Sequence, residues 1–155
     1  MTLDFTTPEM KLAGSQARML LINAVGSGYC LLSGVGDRLS GAKASLSALD
    51  WILVGIGCFC VVATAGGGWT LFRTVASIHR YLAVSRIALV SVLAFICGAA
   101  LAGAAIWLRT SEFKLSAQFE NPNVGRVLFF LIFLAVGWLI SMALAPLLLN
   151  RRSIE

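Results

Sequence analysis

The side chains able to do chemistry are few, and they are poorly arranged for it. His79 is the only histidine. Alone it cannot supply the histidine pair of a membrane haem, nor a zinc site within this chain. It lies between Ser77 and Arg80, where a headgroup-level or subunit contact suits it. The four cysteines, Cys30, Cys58, Cys60 and Cys97, all sit in apolar stretches, where a thiol behaves as a small hydrophobe. Cys58 and Cys60 are two positions apart and point in different directions on a helix. Neither a CxxC spacing nor a loop position supports redox or metal chemistry. Phosphate-binding glycine loops, His-Glu metal motifs and Ser/His/Asp arrangements do not occur. We therefore expect no enzyme activity, no cofactor and no metal.

The elements around these residues account for their scarcity. Hydrophobic residues make up 59% of the chain and charged residues 12%, about half the charge of an average soluble domain. The charges are clustered, leaving three neutral stretches: Trp51–Phe72, Ile87–Leu108 and Val127–Asn150, of 22, 22 and 24 residues. About 20 helical residues cross ~30 Å of hydrocarbon. A 155-residue chain has too little other surface to bury three such helices in a soluble core. No ionisable side chain interrupts these stretches, whereas proton relays and most coupled transporters place one at mid-membrane.

Met19–Gly36 is a weaker fourth crossing of 18 residues, bounded by Arg18 and Asp37. Asn23, two serines and four glycines dilute it, and a re-entrant or interfacial segment is the alternative. Asp4, Glu9 and the lack of a small-x-small site speak against a cleaved leader, and Tyr29 before Cys30 against a lipidation box. The reading is an all-α polytopic membrane protein in a single membrane domain, with four (alternatively three) crossings. An N-terminal segment covers 1–18, the crossings 19–36, 51–72, 87–108 and 127–149, and a basic tail 150–155.

With four crossings, one side carries Lys11, Arg18, Arg73, Arg80, Arg86, Arg151 and Arg152 against three acids, a net of +4. The other side nets +1. The positive-inside rule then puts the Arg73–Arg86 loop and the C-terminus in the cytoplasm or its equivalent. The overall +5 reads as topology and contact with anionic lipid headgroups, not as a nucleic-acid surface. A bacterial inner membrane or an equivalent energy-transducing membrane is expected.

The connections carry local patterns. Thr6 and Glu9 have capping-box spacing around Pro8, so a helix is expected to start there and run into the first crossing. Leu39, Ala42, Leu46 and Leu49 fall at helical spacing, as do Val75, Ile78 and Leu82. Both suggest short interfacial helices or ordinary solvated loops. From Glu112 to Glu120 the chain alternates strictly, with Phe113, Leu115, Ala117 and Phe119 on one side, and Asn121-Pro122-Asn123 closes it. That is a strand pattern, and two phenylalanines on one face favour a partner subunit over the membrane surface.

Small residues recur four apart: Ala63 and Gly67; Ala94, Gly98 and Ala102; Gly137, Ser141 and Ala145. Such stripes let helix backbones approach closely, within one chain or between chains. Trp51, Trp69 and Trp107 lie near crossing ends, as an interfacial belt expects, while Trp138 is mid-helix. These features suit a non-catalytic integral membrane subunit that assembles with other subunits and stabilises a larger complex. The alternative is a homo-oligomeric pore or holin-like protein, with Met19–Gly36 as its lining. A small transporter or binding protein for an apolar molecule stands third.

Overall fold

The computed structural model describes residues 8–39, 45–46, 48–78, 84–110 and 122–149. They form four helices: α1 (Pro8–Leu39), α2 (Ala48–Ile78), α3 (Val84–Thr110) and α4 (Pro122–Leu149). All four contain a membrane-length apolar span: Lys11–Gly36, Ala48–Thr74, Val84–Leu108 and Leu131–Leu148. The chain is a multi-pass membrane protein with four candidate crossings, and no strand occurs among the described residues.

Every helix outruns its neutral stretch. α1 starts at Pro8, whose fixed φ and missing N–H suit a first turn. Lys11 and Arg18 fall inside α1, and both are exposed. Asp50 sits in the first turn of α2 and Arg38 in the last turn of α1, each at the helix end its charge favours. Most of the Arg73–Arg86 segment is helical, since α2 continues to Ile78 and α3 begins at Val84. Of the amphipathic pattern between Asp37 and Asp50, Ser45 and Leu46 are non-helical, and Leu49 belongs to α2. The alternating segment Glu112–Glu120 and His79 lie outside the described residues.

Several hydroxyls within the spans are satisfied by their own helices. Ser27 Oγ donates to the Ala24 carbonyl (2.7 Å), Thr64 Oγ1 to Cys60 (2.7 Å) and Ser141 Oγ to Trp138 (2.7 Å). Such bonds remove the cost of an unpaired hydroxyl in hydrocarbon.

Neighbouring contacts set the directions. Gly34 lies against Asp50 and Val54, Gly57 against Leu31, and Gly67 against Leu20, so α1 and α2 are antiparallel. Gly28 meets Phe95 and Ala99, and Gly36 meets Ile106, so α1 and α3 are parallel. Gly137 touches Val25, and Tyr29 stacks on Phe133 with ring centroids 3.7 Å apart, which makes α4 antiparallel to α1. The helices alternate up and down, and Pro8 and Leu149 end on the same side.

α1 is the hub. It packs along both α2 and α3 and also touches α4, while α2 and α3 barely meet. Half of the most apolar 18-residue stretch of α1 is buried within the protein, against 11% for that of α2 and 28% for each of α3 and α4. The core holds Leu20, Leu21 and Val25 of α1, Leu71 of α2, Ile87 and Val90 of α3, and Phe133 and Leu148 of α4. The outer three helices turn large apolar side chains outward, such as Phe59, Leu89 and Leu139.

Candidate functional site

The closest packing lies where glycines of α1 meet the flanking helices. A Cβ on Gly28 would overlap the Phe95 carbonyl oxygen and come within 2.9 Å of the Ala99 nitrogen. A Cβ on Gly98 would overlap the Val25 carbonyl and lie 3.1 Å from the Tyr29 nitrogen. At this crossing the backbones of α1 and α3 touch directly, which only glycine permits. A Cβ on Gly34 would come within 2.9 Å of the Asp50 carbonyl oxygen, and one on Gly57 within 3.0 Å of the Leu31 nitrogen. α2 therefore seats on α1 by the same device.

The three small-residue stripes fall on inward surfaces. Ala94 and Ala102 are fully buried on either side of Gly98. Gly137, Ser141 and Ala145 are buried along α4, with Gly137 beside Val25. Gly67 lies against Leu20, and Ala63 is half-buried. The Gly98 and Gly137 contacts are within one chain. Gly28, Gly34 and Gly57 were not singled out in the sequence. The glycines of Met19–Gly36 there read as dilution of a crossing, whereas a glycine-dense helix among more apolar ones is also what a central helix looks like. Phe113, Leu115 and Phe119 lie outside the described residues.

The chemistry-bearing side chains do not converge. All four cysteines are free thiols, Cys30 buried and Cys58 exposed. Among the described residues no three His, Cys, Asp or Glu side chains are grouped as metal ligands would be. The four tryptophans are exposed, Trp138 included, so its ring faces outward.

A groove lies between α2 and α3, floored by Ala24 and Ser27 of α1. It exists because both helices lean on α1 and not on each other. Its volume is about 480 Å³, within the ~300–1,000 Å³ typical of ligand sites. Ala65 and Gly68 on α2 and Ala88 on α3 leave the space open, and Trp69, Phe72 and Phe95 give it aromatic walls. The Ser27 and Thr64 hydroxyls that line it are already bonded to their own helices. The groove offers shape and dispersion rather than reactive groups.

Fold and groove together define a four-helix membrane protein with an apolar cleft between α2 and α3. No protein-family model, no curated protein and no solved structure matches the chain.

Proposed function

We propose that this chain is a non-catalytic integral membrane subunit that assembles with a larger membrane complex and stabilises it. The observation that carries this reading is the one-sided seating of α2. A 27-residue span is held almost entirely by α1, and 11% of its most apolar window is buried. The rest of α2, including Ile52, Phe59 and Val62, is an apolar surface available to lipid or to another membrane protein. The neutrality of the three most apolar crossings supports a structural role over ion or proton transfer. The partners are other membrane subunits and anionic headgroups. The membrane is a bacterial inner membrane or its equivalent, with the C-terminus on the cytoplasmic side.

The pore reading assigns the lining to Met19–Gly36. Against it, Ser27 and Cys30 of that segment are buried among the chain's own helices.

Purification in mild detergent from the native membrane tests the proposal. Foreign membrane subunits in fixed ratio are the expected result, and a ring-sized species of this chain alone would favour the pore. The double variant Phe113→Ser with Phe119→Ser should insert normally, because it touches no crossing, yet recover less of the partner. Burying a phenylalanine side chain is worth about 1.5–3 kcal/mol, which a covering subunit would supply. Normal assembly of that variant would make the 112–120 segment a plain connection.

A further inference from the structure

We propose that the groove between α2 and α3 holds one acyl chain of an anionic phospholipid, drawn from the leaflet at the Arg73 end. The inference needs the membrane setting only and does not depend on the subunit reading.

The depth of the groove selects the occupant. Its α2 wall runs from Val61 to Phe72 and its α3 wall from Val84 to Phe95, the ends of each 11 residues apart. At ~1.5 Å per residue each wall is ~16 Å long. Half of the ~30 Å hydrocarbon core is ~15 Å. Val61 and Phe95 also fall at the middles of the spans Ala48–Thr74 and Val84–Leu108. The groove therefore begins at one headgroup level and stops at mid-membrane, which is the reach of a single-leaflet chain. A partner helix, ~10–12 Å across, would need a channel through both leaflets.

Chemistry agrees with depth. The walls are almost wholly apolar: of the three hydroxyls that line them, those of Ser27 and Thr64 are bonded to their own helices, and Ser91 is the third. Small residues at 65, 68 and 88 make room where larger ones would close the cleft. A gap of this size open to lipid is filled, because empty walls forfeit dispersion contacts. At the mouth, Arg73 is exposed one helical turn beyond Trp69, a lining residue. The sequence from Arg73 to Arg86 contains three arginines and no acid, so that end attracts a negative headgroup.

The test uses the full chain in nanodiscs of phosphatidylcholine containing some phosphatidylglycerol, followed by release into mild detergent and native mass spectrometry. One phosphatidylglycerol should remain on each wild-type chain. Ala65→Phe with Ala88→Phe should lower retention about tenfold. Both alanines are exposed, so the added rings enter the groove and not the core. Val92→Trp, filling the deeper half, should act the same way, with helix content and monodispersity unchanged in both. Arg73→Gln should keep a lipid but lose the preference for phosphatidylglycerol over phosphatidylcholine. Equal retention in wild type and groove-filled variants would overturn the site. So would a co-purified protein that cross-links through Ala88→Cys while the wild type carries no lipid. An unchanged headgroup preference in Arg73→Gln would overturn the anionic assignment.

Discussion

Gly28 and Gly98 are where a single methyl group has the largest consequence. Each faces backbone, which cannot rotate away as the end of a side chain can. Gly98→Leu or Gly28→Leu should force α3 off α1 and destabilise the protein by about 1–3 kcal/mol through overpacking. Thermal unfolding in detergent, followed by the monodisperse fraction on size exclusion, reads the effect. Gly55 and Gly66 have nothing within 4 Å of a built Cβ. Their alanine variants should unfold at or above the wild-type temperature, since alanine is the better helix former by up to about 1 kcal/mol. If all four substitutions behave alike, the α1–α3 crossing is not where it is described. Gly98 was legible in the sequence because it belongs to a four-residue series with Ala94 and Ala102. Gly28 was not, because its partners are the Phe95 carbonyl and the Ala99 amide, and a contact to backbone leaves no side-chain pattern to read.

Among the elements, α1 is the one whose sequence and role differ most. Its span is the least apolar of the four and the most buried. The two facts have one cause: a helix surrounded by protein does not need lipid-compatible side chains, so polarity and small residues accumulate there. Hydropathy ranks a helix by its fitness for lipid, which is why α2, α3 and α4 stood out as neutral runs and α1 read as doubtful. The α1–α2 register can be tested directly. A Cβ on Gly26 would lie 3.9 Å from Cys60 Sγ, close enough for a disulfide after a small adjustment. Gly26→Cys, in a background of Cys30→Ala, Cys58→Ala and Cys97→Ala, should cross-link to Cys60 under mild oxidation. Linked peptides identify the product by mass spectrometry. Placing the new cysteine at Gly14 instead, where nothing lies within 4 Å, should give no cross-link.

For the whole molecule, the alternation of four helices puts both described ends, Pro8 and Leu149, on one side. Seven of the 12 basic residues fall on that side or in its connection: Lys11, Arg18, Arg73, Arg80, Arg86, Arg151 and Arg152. Reporter fusions before Pro8 and after Arg152 should give the same cytoplasmic signal, and one inserted in 112–120 the opposite signal. A fusion before Pro8 that reports the far side would reduce the membrane crossings to three and leave α1 as a buried or interfacial helix. Three crossings were readable from the neutral runs, while the fourth, 19–36, stood against an interfacial alternative. The groove was not readable, because it is a gap produced by how two helices lean on a third. Composition gives the walls, such as Ala65 and Ala88, without the distance between them.

The hub position of α1 also fixes an order of events during synthesis. α1 is made before the surfaces that cover it, α2 and then α3. Leu39 and Thr110, the last residues of α1 and α3, are 71 positions apart. At ~5–20 residues per second, that is about 4–14 s in which α1 has to wait without its full set of neighbours. Through that interval the bare glycine seat at Gly28 presents backbone to whatever is nearby. The helix that later holds the bundle together is thus the one most in need of an insertase or chaperone at birth. A nascent chain long enough to expose α1 but not α2 should cross-link to such a factor, and one long enough to expose α3 as well should have let it go.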